Sequence, residues 1–229
     1  MHIHRKLKKL AANDDPYRVQ KKIMTDFALA LLPKFRKKVD ESDHPFLAAL
    51  KLSIAANIID LGAKSGLTEK EVLSSMDNAL NVPLSGNAGQ FEAECQKAHT
   101  IMILADNAGE IVFDTLLIEQ LSTADVTVVV RGGPIINDAT KDDAINSGLA
   151  GKVRLMDNGV DAPGTILSLC SDSFRELFNN VDLVISKGQG NFESLLDTPR
   201  PVWFLFKVKC MVTANATGEP VGSHMVFKK

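Results

Sequence analysis

The chain has 229 residues, 45% of them hydrophobic and 24% charged, which is long enough to bury a substantial core. Its 26 Lys and Arg against 28 Asp and Glu leave a net charge of −2, so a surface devoted to nucleic acid is not expected. Cys95, Cys170 and Cys210 form no Cys-x-x-Cys motif and no closed disulfide framework, no apolar run has the ~18 residues needed to span a bilayer, and the basic start lacks a signal peptide's apolar run; the expectation is a cytoplasmic protein with no membrane partner.

Arg5, Lys6, Lys8 and Lys9 read as a solvated helix end, and His2 and His4, despite a metal-like spacing, as a frayed start. Val19, Ile23, Phe27, Ala30 and Leu31 recur at helical spacing and predict a helix over Tyr17 to Val39, interrupted or kinked at Pro33. A strongly apolar helix is expected over Phe46 to Leu61, with Gly62 to end it. On it Ser53, Asn57 and Asp60, with Lys64 beyond, form a polar stripe that faces either solvent or the rim of a neighbouring sheet. Thr68 with Glu71 makes a capping-box pattern that opens a helix over Glu69 to Leu80, and Pro83 to Gly89 reads as a joint.

After His99 the texture changes to short apolar runs alternating with helical patterns. Strands are predicted at Ile101 to Leu104, Val126 to Val130, Val153 to Met156, Leu183 to Ile185 and Val202 to Phe206. Helices are predicted at Gly109 to Leu121, Asn137 to Ser147 and Pro163 to Phe178, and Gly218 to Lys229 reads as a turn and an edge strand. The fold class that follows is α/β, a doubly wound and mainly parallel sheet, with residues 1–96 as an N-terminal helical subdomain and residues 97–229 as the α/β metal-site domain.

The polar residues gather where strands end. Asp106 and Asn107 follow the first strand, and a carboxylate there costs desolvation energy unless a cation or donors compensate it. They read either as half of an oxygen-ligand metal site or as a helix N-cap. Asp138, after the next strand, is open to the same two readings; if the strands are neighbours, both loops share one rim and the two carboxylates can share an ion, Mg²⁺ or Mn²⁺ rather than Zn²⁺. Lys187 stands at a later strand end, before Gly188, Gln189, Gly190 and Asn191. It suits either a phosphoryl group or a carboxylate partner, and Lys207 and Lys209 add charge on the same rim. Glu193 stands where the third glycine of G-x-G-x-x-G would be, and His44, His99 and His224 lack companions for a Ser-His-Asp mechanism.

Together DNAGEIVFD (106 to 114), GGPIINDAT (132 to 140) and SKGQGNFE (186 to 193), with FLFKVKC (204 to 210), AANIID (55 to 60) and DPY (15 to 17), resemble the metal-dependent damage-control phosphatases, formerly domain of unknown function 89, of the protein-glutamate O-methyltransferase-like fold group. The resemblance covers nearly the whole chain. It implies one divalent metal, Mn²⁺ or Mg²⁺ first and Co²⁺ or Ni²⁺ after them, held by Asp106, Asn107 and Asp138, with Lys187 contacting substrate phosphate. Similar members usually carry a further N-terminal helical stretch with a Cys-x-x-Cys pair, whereas here only 14 residues precede Asp15, so a truncated form is expected.

The function expected is a metal-dependent phosphomonoesterase acting on small phosphorylated metabolites, sugar phosphates first. Asp106, Glu110 and Lys187 are its catalytic candidates, with Glu110 orienting water or a sugar hydroxyl. Gly109, Lys187, Asn191, Asn57 and Asp60 are its substrate-side candidates. An aspartyl-phosphate route through Asp106 is disfavoured, because Ala108 stands where haloacid-dehalogenase-like phosphatases carry a second Asp. The alternatives are a non-catalytic nucleotide- or metabolite-binding module and a carboxyl methyltransferase.

Overall fold

The structure, a computed structural model, describes residues 2–59 and 68–229. Helices come first, among them α1 (His2–Ala11), α2 (Arg18–Asp40), α3 (Pro45–Ala55) and α4 (Glu69–Ala79). The last opens on Thr68 and Glu71, whose side chains and backbones bond reciprocally as the capping-box pattern requires. Two expectations change here. The chain start is helical rather than frayed, and Pro33 lies inside α2 without ending it. The predicted apolar face of α2 is also rotated. Val19 and Ile23 are 73% and 60% exposed, while Met24, Ala28, Leu31, Phe35 and Val39 are buried together with Lys21. Lys21 sets that orientation by pairing with Asp15 at 3.0 Å and Asp143 at 2.8 Å.

The remaining elements are β1 (Leu84–Gly86), α5 (Ala88–Lys97), β2 (Thr100–Leu104), α6 (Glu110–Glu119), β3 (Asp125–Val130), α7 (Lys141–Ala144, continued by a π-turn at Ile145–Leu149), β4 (Arg154–Asp157), α8 (Asp172–Asn180), β5 (Leu183–Lys187), α9 (Gln189–Leu195), β6 (Trp203–Lys207), α10 (Met211–Thr217) and β7 (His224–Lys228). The stretch expected as a joint, Pro83 to Gly89, contains β1. The expected helix over 137–147 begins only at Lys141, behind Thr140 as its cap, and the one over 163–178 is reduced to a 3₁₀ turn and α8.

The strands form one seven-stranded sheet in the order β1-β7-β6-β5-β2-β3-β4. From β2 to β6 it is parallel, as the apolar, β-branched runs required, because strands covered on both faces have no polar side to alternate with. β7 runs antiparallel to β6 and lies between β6 and β1, so the C-terminal strand is not an edge. The chain leaves β2 for β3 and β4 on one side, then crosses to β5 and β6 on the other. The carboxyl ends of β2 and β5 therefore flank the switch point, where open α/β sheets bind ligands.

One element joins the helices to the sheet. Residues Glu110 to Ile118 of α6 are all buried, because one side meets Ile101, Ile103 and Val128 of the sheet core while Val112, Phe113 and Leu116 pack among Phe35, Ala49, Leu52 and Ile59. An apolar helix with no solvent face belongs in that position. Its two carboxylates, Glu110 and Asp114, are consequently inside the protein.

Candidate active site

Past the end of β2 the backbone is held against the loop that follows β3. Ala108 N donates to Asn137 O at 3.0 Å, Ala139 N donates to Asp106 O at 2.8 Å, and Asn107 and Asp138 form a two-residue β-bridge. These bonds bring Asp106, Asn107 and Asp138 to one rim, which the separate loops alone do not ensure. They also settle the capping alternative for Asp138, since α7 is capped by Thr140 with Asp143.

The side chains are tied as tightly. Asn107 Nδ2 donates to Asp106 Oδ2 at 2.9 Å and to Glu110 Oε2 at 3.3 Å, while Asn107 Oδ1 accepts from Asn137 Nδ2 at 2.8 Å. Asp138 Oδ2 accepts from Arg131 Nε at 2.7 Å. Asp106 lies well above the ordinary carboxylate range, first because it is buried and then because Glu110 and Asp138 repel its charge; Arg131 and Lys209 only partly offset this. Gly188 makes room for it. A Cβ there would stand 2.0 Å from Asp106 Oδ2, and the residue's φ of +80° is a value that side-chain-bearing residues rarely adopt.

Behind this rim is a buried ion cluster. Lys187 is fully buried, and its Nζ donates to Glu110 Oε1 at 2.8 Å, to Asp114 Oδ1 and to Ser53 O at 3.1 Å. Burial opposes the charge on Lys187, but the two carboxylates outweigh it and its pKa is raised. Burial likewise opposes the charge on Glu110, yet Lys187 and the amide of Asn57, 2.9 Å away, bring its pKa below the ordinary value. Asp114 remains raised, chiefly by burial. Each of the three donors of Lys187 is engaged, so the structure places it with carboxylates rather than at an open phosphate position. Ser53, near the end of α3, donates to Asp114 at 2.6 Å, and Asn57, two residues past Ala55 where α3 ends short of the expected Leu61, donates to Glu110, so the predicted polar stripe turns to the sheet side at these two positions. Asp60 and Lys64, with the predicted end at Gly62, lie outside the described residues.

Asn191 is a strut rather than an open contact. Its Oδ1 accepts from Arg131 Nη1 and Thr165 Oγ1, and its Nδ2 donates to Ala105 O and Lys187 O. Gly109 is buried at the N-cap of α6. Lys209 is exposed just past β6, where its N donates to Gln189 Oε1 at 3.0 Å, one residue on from Gly188.

The sequence reading missed Arg131 and Asp114. Asp114 had a signal: it is the second carboxylate, four residues after Glu110, in an otherwise apolar helix, so both fall on one face. Arg131 immediately precedes the GGPIINDAT stretch that holds Asp138 and carried no spacing signal of its own.

Among the described residues no three His, Cys, Asp or Glu side chains converge as a metal cage. The rim has instead two carboxylates and an amide, hard oxygen donors of the kind that Mg²⁺-type sites complete with water and substrate oxygens. The repulsion acting on Asp106 is what a cation at that point relieves, so the residues fit a divalent ion.

A doubly wound α/β sheet with an acidic, oxygen-lined centre at its switch point defines a class, the α/β proteins that hold a small ligand at the carboxyl ends of their strands. Within that class the chain belongs to the damage-control phosphatase family: the model of the damage-control phosphatase ARMT1-like domain matches residues 1–225. The chain is similar to a damage-control phosphatase of Pyrococcus horikoshii (34% identity, covering 95% of this chain and 76% of the relative) and to one of Archaeoglobus fulgidus (34%, 99% and 80%). An uncharacterized protein of Methanocaldococcus jannaschii is also 34% identical, over 99% of this chain and 78% of its own length. The crystal structure of a DUF89 family protein from Pyrococcus horikoshii superposes with a TM-score of 0.86 at 32% identity, covering 99% of this chain and 79% of that one.

Proposed function

We propose that the chain is a metal-dependent phosphomonoesterase that hydrolyses small phosphorylated metabolites, sugar phosphates first among them. Membership of the damage-control phosphatase family supports phosphatase chemistry in metabolite repair. The observation that carries the metal dependence is the convergence of Asp106, Asn107 and Asp138 through the bridge between their loops. Asp106, Asn107 and Asp138 would hold Mn²⁺ or Mg²⁺, whose chemistry is to polarise a phosphoryl oxygen and to make bound water a stronger nucleophile at neutral pH.

The chain's own residues supply orientation. Asn107 is held by Glu110, and Glu110 by Lys187 and Asn57, so rotation of the amide that faces the rim is restrained from behind. We assign Lys187 this supporting role: it keeps Glu110 charged and in place. Lys209, exposed at the edge of the site, supplies positive charge to draw a phosphorylated metabolite towards the rim. Such prearranged charge is the main means of stabilising a loose phosphoryl-transfer transition state.

The test is phosphate release from a panel of sugar phosphates by metal-stripped protein with Mn²⁺, Mg²⁺, Co²⁺ or Ni²⁺ restored singly, beside Asp106→Ala. Release that needs metal and disappears in the variant supports the proposal. Undiminished release after metal removal, or none from folded and metal-loaded protein, rejects it.

A further inference from the structure

With Lys187 committed to Glu110 and Asp114, the buried cation nearest the acidic rim is Arg131, which is 3% exposed. It sits on a fixed platform. Its N donates to Ala139 O and Gly132 N donates to Val160 O, both at 2.9 Å. Gly132 is packed so closely that a Cβ would fall 2.4 Å from the backbone of Gly159.

Two arms of the guanidinium are spoken for. Nε donates to Asp138 Oδ2 at 2.7 Å, and Nη1 donates to Thr165 Oγ1 at 3.2 Å and Asn191 Oδ1 at 3.1 Å. The third, Nη2, is buried and has no hydrogen-bond partner among the described residues. Its nearest acidic neighbour, Asp106 Oδ1, is 3.9 Å away, an electrostatic contact but beyond hydrogen-bond reach. A buried guanidinium nitrogen without an acceptor is unfavourable, and here it points beside the carboxylate at the centre of the site. Arg131 and the loop it opens, Gly132 to Pro134, also border a cavity of about 1100 Å³ between α2 and α7.

We propose that Arg131 is the residue that contacts phosphate. Nη2 donates to a non-bridging oxygen of the phosphoryl group at Asp106, while Nε and Nη1 keep the fork aimed. The planar, permanently charged guanidinium suits this division of labour, because one side chain then aligns a carboxylate and an anion at once. The inference rests on the phosphatase reading above and extends it by naming the anion's partner.

The experiment compares wild type, Arg131→Gln and Arg131→Lys, each folded by circular dichroism. Mn²⁺ affinity is read from the signal of free Mn²⁺, and inorganic phosphate affinity of the Mn²⁺-loaded protein by calorimetry. Glutamine can still donate to Asp138 but has no second arm. It should keep Mn²⁺ affinity within about threefold while phosphate binding weakens by about tenfold or more, the scale of one lost charge-assisted bond. The inference is overturned if phosphate affinity is unchanged in Arg131→Gln, or falls only in step with Mn²⁺ affinity. If the glutamine variant does not fold, Arg131→Lys decides by the same comparison. Wild type that binds Mn²⁺ but neither binds phosphate nor releases it overturns the phosphatase reading and this inference together. Release by wild type with unaltered phosphate binding in the variants overturns this inference alone.

Discussion

Lys187 Nζ lies 2.8 Å from Glu110 Oε1, and neither side chain is more than 2% exposed. Because Asp114 shares the same ammonium, removing the lysine leaves two buried carboxylates without their cation. Lys187→Met should cost about 3–5 kcal/mol of stability, the usual cost of breaking a buried pair from one side. Urea unfolding at neutral pH measures this. Adding Glu110→Gln and Asp114→Asn should restore a large part of the loss, and a single variant as stable as wild type would mean that the cluster contributes nothing net.

Asp106 is a carboxylate whose ionisation the protein resists, through burial and the charges of Glu110 and Asp138. A raised carboxyl pKa means that the folded state binds the extra proton more tightly than the unfolded state. The metal-free protein should therefore lose stability as pH rises above the ordinary carboxylate value of 3.8. Asp106→Asn removes the conflict. Metal-free Asp106→Asn should melt higher than metal-free wild type at neutral pH, with the gap closing in acid, yet gain no thermal shift from added Mn²⁺. Differential scanning calorimetry across pH checks both; a variant that melts lower at neutral pH would contradict this electrostatic account.

Gly188 has no tolerance for a side chain, with φ at +80°, ψ at 154° and Asp106 Oδ2 only 2.0 Å from a Cβ position. Gly188→Ala should cost about 1–3 kcal/mol in backbone strain. It should also displace Asp106, so the Mn²⁺-induced thermal shift should fall by more than the stability loss alone accounts for. An alanine variant with wild-type Mn²⁺ response would show that the Asp106 position is not set by this contact.

His224, in the strand between β1 and β6, is buried, and its pKa is lowered to about 4, first by burial and then by Lys207 and Lys51. A depressed histidine pKa means that the unfolded chain takes up the proton first. Stability from this group is complete above about pH 6.5 and is lost as pH falls from there towards about 4. His224→Leu should flatten that part of the profile relative to wild type. Urea midpoints at intervals between those limits provide the measurement, and parallel slopes in the two proteins would sink the assignment.

Much of the fold was legible because its signals are local. Val126 to Val130 and Ile101 to Leu104 are apolar without alternation, and only a strand covered on both faces needs that pattern. Thr68 and Glu71 announced the start of their helix by the chemistry of its cap. Asp106, Asn107 and Asp138 were visible as polar residues at strand ends, yet metal ligand and cap were equal readings for residues of those types. Gly109 and Thr140 stand at the N-caps of the two helices that follow, so Asp106 and Asp138 cap neither. The sequence also marked Lys187 as an important cation, but without indicating whether it would meet a carboxylate or a phosphate.

The sequence by itself determined most of the strands and helices, the mainly parallel character of the sheet and the gathering of polar residues at strand ends, because periodicity, caps and strand-to-helix alternation act over a few residues. Tertiary structure alone decided which charges meet. Val19 and Ile23 face solvent while Lys21 is buried, since Asp143 approaches from a distant part of the chain. Lys187 is enclosed by two carboxylates of α6, and Arg131 Nη2 is left without a hydrogen-bond partner among the described residues. Burial and Coulomb energies depend on distances between segments, and those distances exist only once the chain is folded.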